Sequence, residues 1–140
     1  MIKHILLIDD NEIDSYITRQ LLTKHNIAET ISMMLSAPDA LEYLDGLVKS
    51  QQPFPDVIFL DIRMPEMDGF GFLDNYHGYP EGHKSSCSII MLTSSQNSDD
   101  ITRAKANSYV KEYLQKPITK DAVSKLFNSA SPVSDLPSSL

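Results

Sequence analysis

Five short strand-like segments recur along the chain, the first three of them apolar runs, and each ends in polar or turn-forming residues. They fall at 5–8, 31–35, 57–60, 88–92 and 110–114. Val57, Ile58, Phe59 and Leu60 form an unbroken, partly β-branched stretch, the pattern of a strand buried on both faces of a parallel sheet. The intervening segments switch to helical spacing. From Asn11, which with Asp14 makes a capping start, Ile13, Ile17 and Leu21 form the apolar face of a first helix. Ala37-Pro38 opens a second, with Pro at its first position and Leu41, Leu44 and Val48 as the inner stripe. A third helix, over 69–76, carries Phe70, Leu73 and Tyr76 inward, and 76–86 is too rich in Gly, Pro and Ser to be an element and reads as a surface loop. Residues 98–107 predict a helix with the thin stripe Ile101 and Ala104, lightly held against its sheet. Thr119 caps a last helix whose Ala122, Val123, Leu126 and Phe127 face inward.

Five alternating β and α units predict an α/β fold, a doubly wound, five-stranded parallel sheet with helices on both sides. Right-handed crossovers favour the flavodoxin-like strand order 2-1-3-4-5. A chain of 140 residues with 41% hydrophobic content suits one domain. That domain is placed at 1–128, with 129–140, composed of Ser, Pro, Asp and small residues, read as a disordered tail. The net charge of −7 argues against a nucleic-acid footprint and gives no support for membrane attraction. No run reaches transmembrane length, no signal-peptide pattern is visible, and a cytoplasmic location is expected. The single Cys87 reads as a small buried apolar residue, the six Met as core filler, and the four His share no metal-ligand spacing.

The polar residues that end the strands are the chemistry-bearing ones. Asp9 and Asp10 follow the first strand, Asp61 the third, Thr93 the fourth and Lys116 the fifth. In the 2-1-3-4-5 order, strands one and three are neighbours at the switch point, so the three carboxylates converge in one crevice, joined by Thr93 and Lys116. Three carboxylates held together need a cation to stay ionised, and hard oxygen ligands with partial solvent access suit Mg²⁺. A lysine to neutralise a phosphoryl group and a hydroxyl to hydrogen-bond it complete an arrangement suited to phosphoryl transfer onto Asp61.

The segments IDD, FLDIRMPEMDG, MLTSS and YLQKP, in this order, resemble the receiver domain of two-component response regulators, of the single-domain, CheY-like type similar to the chemotaxis regulator. The resemblance covers residues 2 to about 128. It implies that Asp61 is the phospho-acceptor, that Asp9 and Asp10 with Asp61 hold Mg²⁺, and that the backbone carbonyl of Arg63 completes the metal shell. Lys116 becomes the phosphate-binding lysine, Thr93 and Tyr113 the switch pair, and Lys116-Pro117 a cis peptide bond, a geometry found in roughly one in twenty X-Pro bonds. The implied role is a stand-alone receiver rather than an enzyme, catalysing only its own phosphorylation and dephosphorylation. Its phosphodonor would be a histidine kinase or histidine phosphotransfer protein, and its signal would leave by contact with a downstream protein or by self-association. Arg63 and Ser95 lie two residues past Asp61 and Thr93, and neither carries a carboxylate or amide to orient a hydrolytic water, so slow self-dephosphorylation is expected. Tyr109-Val110 departs from the Gly-Ala pair usual before the fifth strand.

Other classes fit less well. A flavodoxin-like redox carrier needs a Ser/Thr/Gly-rich phosphate loop after the first strand, where DDNEID would repel a phosphate. A haloacid-dehalogenase-like phosphatase places its nucleophile after the first strand in a D-x-D pattern, and here Asp9 is followed directly by Asp10. The nearest alternative is a receiver-like binding module that acts without phosphorylation.

Overall fold

The computed structural model describes residues 1–94 and 98–130. Its strands are β1 (Ile2–Ile8), β2 (Ala28–Met34), β3 (Val57–Asp61), β4 (Ser88–Thr93) and β5 (Val110–Gln115). They form one parallel sheet in the order β2-β1-β3-β4-β5, as the alternation of elements predicts. The helices are α1 (Glu12–Lys24), α2 (Ala37–Lys49), α3 (Gly69–Tyr76), α4 (Glu81–Lys84), α5 (Ser98–Ala106) and α6 (Lys120–Ala130).

Side-chain alternation along the central strands divides the core in two. Leu6, Ile8, Ile58, Leu60, Ile89 and Met91 pack with α2, α3 and Ala104 of α5. Ile5, Leu7, Val57, Phe59, Ile90 and Leu92 pack with Leu22 of α1 and Val123 of α6. A strand covered on both faces has no wet side, and this is why β3 reads as a continuous apolar run.

Four local expectations are corrected. The buried positions of α1 are Ser15, Thr18 and Leu22, whereas Ile13 is 71% and Ile17 50% exposed, so of the stripe Ile13, Ile17 and Leu21 only Leu21 packs against the core. Ser36, not Ala37, caps α2, accepting a hydrogen bond from the backbone of Asp39, and Pro38 therefore stands second in the helix. The segment 76–86 is not a bare loop. It contains α4, and Tyr76 and Lys84 are buried within it. The Lys84 ammonium donates to the His77 carbonyl at the end of α3 (2.7 Å) and to the Tyr109 hydroxyl (3.1 Å). A cation at a helix carboxyl end satisfies orphan carbonyls and opposes the helix dipole. In α5 the stripe is as thin as expected, with Ala104 buried and Ile101 half-buried, and Asp100 is buried as well. The last helix reaches Ala130, which takes in the first two residues assigned to the tail, and 131–140 lie outside the described residues. Tyr109 occupies the junction before β5 by turning its ring against Tyr76, with centroids 5.3 Å apart, and bonding His77 Nδ1 at 2.7 Å.

Candidate functional site

The site is built at the carboxyl ends of β1, β3, β4 and β5. Asp9 follows β1, and its backbone N–H donates to Met34 of the neighbouring β2 (3.1 Å), extending the ladder by one residue past the strand. Its carboxylate accepts from the backbone of Asn11 at 2.9 Å, in the turn that opens α1. Asp61 is the last residue of β3, buried and in register with Leu92 of β4. Two devices hold the loop behind it. Met67 N–H donates to the Pro65 carbonyl (2.8 Å) around Glu66, whose φ of 70° makes a γ-turn of the strained hand. Gly69 N–H then donates to the Ile62 carbonyl (2.8 Å). A Cβ on Gly69 would sit 2.6 Å from the Asp61 carbonyl oxygen and 2.8 Å from Met91 Cε, so only glycine allows α3 to start this close beneath Asp61.

Asp9, Asp10 and Asp61 each offer a carboxylate oxygen, and the three oxygens lie within 4.8 Å of one another. Asp9 and Asp61 are buried and Asp10 is exposed. Burial, then the charge of Asp9, push the Asp61 carboxyl up to about 7, against the opposing pull of Lys116. The set fits Mg²⁺: the donors are hard oxygens, few in number, and open to water on the Asp10 side.

Lys116 enters from the end of β5, its backbone donating to the Thr93 carbonyl (2.8 Å) and its bond to Pro117 cis. Its ammonium stands 2.6 Å from Asp9, 3.1 Å from Asp14 and 3.4 Å from Asp61. Burial alone would lower its pKa, but Asp9, Asp61 and Asp14 outweigh that and raise it, so the ammonium stays charged. Thr93 is buried at the end of β4. Tyr113 is half-buried on β5, opposite Met91, with the Lys105 ammonium 5.3 Å above its ring. The Arg63 side chain pairs with Asp100 of α5 (2.6 Å). Ser95 lies outside the described residues.

The structure thus brings Asp9, Asp10, Asp61 and Lys116 into one crevice, with Thr93 at its β4 side, and leaves Tyr113 a strand away. Sequence reading missed Asp14 and Asp100. Asp14 lies in the first turn of α1, three residues after the N-cap Asn11, and its place beside Asp9 and Asp10 in the chain was the available signal. Nothing in the pattern around Asp100 singles it out, since Asp99 beside it is identical in kind.

Fold and site together define a class. The model of the response regulator receiver domain matches residues 5–128, and the chain belongs to that family. Receiver domains are not conventional enzymes. Among individual proteins, the chain is 26% identical to the protein PilH of Pseudomonas aeruginosa, over 89% of this chain and 94% of PilH. It is 33% identical to the sensor histidine kinase CheAY of Helicobacter pylori over 81% of this chain, which is only 13% of that kinase. The crystal structure of a two-component response regulator from Cytophaga hutchinsonii superposes with a TM-score of 0.83 at 28% identity, covering 91% of this chain and 96% of that one. No helix among the described residues is long and apolar enough to cross a membrane.

Proposed function

We propose that this chain is a stand-alone receiver of a two-component phosphorelay, which accepts a phosphoryl group on Asp61 in a Mg²⁺-dependent reaction. The observation that carries the reading is the convergence of three carboxylates and one ammonium around the buried end of β3. The likeness to PilH over nearly the whole of both chains supports the stand-alone form. The donor is a histidine kinase or a histidine phosphotransfer protein, a partner class that membership in the family implies. A cytoplasmic location follows from the same reading.

An Asp61 carboxylate oxygen attacks phosphorus, the bond to the donor's imidazole nitrogen breaks, and its electron pair leaves with the imidazole. Lys116 turns from Asp9 toward the transferred group and neutralises its oxygens, and the Thr93 hydroxyl hydrogen-bonds one of them. Asp9, Asp10, Asp61 and the Arg63 carbonyl would hold Mg²⁺, which supplies charge neutralisation at the phosphoryl oxygens. Withdrawal of the Thr93 hydroxyl toward the phosphoryl group lets Tyr113 turn inward, and the altered face of α5, β5 and α6 is what a downstream protein or a second copy reads. The exposed Ile13 and Tyr16 of α1 line a groove with Met33 of β2 and Leu35 just past it, an apolar surface on which a protein donor can rest.

Incubation with acetyl phosphate and Mg²⁺, read by intact mass, should add one phosphoryl group to the wild-type chain and none to Asp61→Asn. An Asp61→Asn protein that gains the same mass overturns the assignment. A wild-type chain that gains nothing favours a binding module that works without phosphorylation.

A further inference from the structure

Asp100 is the one charged residue that α5 buries, at 4% exposure, in the helix's first turn. Its carboxylate receives the Arg63 guanidinium at 2.6 Å, from the loop that follows Asp61 by two residues. The other cations of α5 are engaged elsewhere. Arg103 lies over the Phe70 ring at 3.9 Å and Lys105 over the Tyr113 ring at 5.3 Å. The helix dipole offers Asp100 some compensation, since carboxylates are favoured in a first turn, but a buried charge is held mainly by its hydrogen-bonded partner. With Ala104 as its one fully buried apolar residue, α5 depends on this ion pair more than a helix with a broad apolar face would.

Arg63 itself is differently placed. Its side chain is 59% exposed, and it is tied to the backbone that carries the acceptor. A phosphoryl group on Asp61 would present near it up to two negative charges and three strong acceptor oxygens, a better partner for a guanidinium than a single carboxylate. We propose that the Arg63–Asp100 ion pair is a latch that holds the first turn of α5 against the Asp61 loop, and that a phosphoryl group on Asp61 opens it by taking the Arg63 guanidinium. Asp100 is then left buried without its counter-charge, and the first turn of α5 moves to return it to water. The two arrangements are discrete because a buried carboxylate is either paired or hydrated. This route runs beside the Thr93 and Tyr113 pair and reaches α5 from its opposite end. It rests on the reading of Asp61 as acceptor, and Arg63 acts in it as a positioning residue for the helix.

The test is amide hydrogen exchange on the full chain, with and without beryllofluoride and Mg²⁺ as the phosphoryl mimic. Arg63→Met leaves Asp100 without its partner, and Asp100→Asn removes the charge that needs one. In the wild-type chain the mimic should speed exchange in 98–106 on the order of tenfold, the effect of losing one charge-assisted hydrogen bond. Arg63→Met should exchange that fast without the mimic and gain little from it, while 57–61 stays protected. Asp100→Asn should stay slow in 98–106 and lose the response. If Arg63→Met loosens the whole chain, the Asp100→Asn arm decides alone. A response in Asp100→Asn equal to the wild type's overturns the latch and leaves the acceptor reading standing. Failure of the mimic to protect the Asp61 loop of the wild-type chain overturns both.

Discussion

The pair Asp10 and Gly69 shows how single residues are committed to the site in opposite ways. Asp10 adds a third carboxylate to a cluster already too negative for Lys116 to balance, and in the metal-free protein it is a repelling charge. Asp10→Asn should therefore raise the melting temperature without Mg²⁺, by about 1 kcal/mol of stability, the scale of two partly solvated like charges in contact. The same change should weaken Mg²⁺ binding in a calorimetric titration. A variant that loses stability and keeps its metal affinity would remove Asp10 from the cluster. Gly69 contributes by having no side chain. Its Cβ position lies 2.6 Å from the Asp61 carbonyl oxygen, a backbone atom that cannot swing aside. Gly69→Ala should cost about 2 kcal/mol in denaturant unfolding through forced displacement, despite alanine's better helix propensity. Since the atom displaced belongs to Asp61, acetyl phosphate reactivity should fall with it.

At the scale of elements, α1 is the informative case. Its apolar spacing was legible, yet the helix turns Ile13 and Ile17 outward and packs on Leu22 with Ser15 and Thr18. The reason lies at its start: Asn11 donates its backbone N–H to Asp9 and caps the helix by accepting from Asp14, which fixes its rotation relative to β1. That rotation puts Asp14 against Lys116 and turns Ser15 inward with Thr18 and Leu22, three and seven residues on, while Ile13 and Ile17, four residues apart, fall on the outer face. Thermal melts distinguish the two faces. The double change Ile13→Ser with Ile17→Ser should shift stability by less than about 1 kcal/mol, as exposed positions do, and leave acetyl phosphate reactivity unchanged. Leu22→Ala, from the fully buried face, should cost about 2–5 kcal/mol. The short α4 makes the complementary point. The Gly, Pro and Ser content of 76–86 argued for a loop, but one buried lysine with two oxygen partners and the rings of Tyr76 and Tyr109 hold the segment in place, a polar and aromatic solution that hydrophobic counting does not see.

For the whole molecule, the order of five strands and the meeting of Asp9, Asp10, Asp61, Thr93 and Lys116 were both readable from the chain. The central strands, buried on both faces, are apolar and stop at something polar, whereas the partly exposed edge strands β2 and β5 are marked mainly by the alternation of elements and by the polar stops that end them. Handed crossovers then bring the polar stops to one edge without any knowledge of side-chain contacts. What the chain could not specify in one dimension is which way a helix rolls on the sheet and which charges find each other across elements. The separations of 37 positions between Arg63 and Asp100, and of 102 between Asp14 and Lys116, leave no mark in local spacing. Those pairings depend on helix rotation and on the depth to which each carboxylate is buried, and burial is a property of the packed chain rather than of any segment of it.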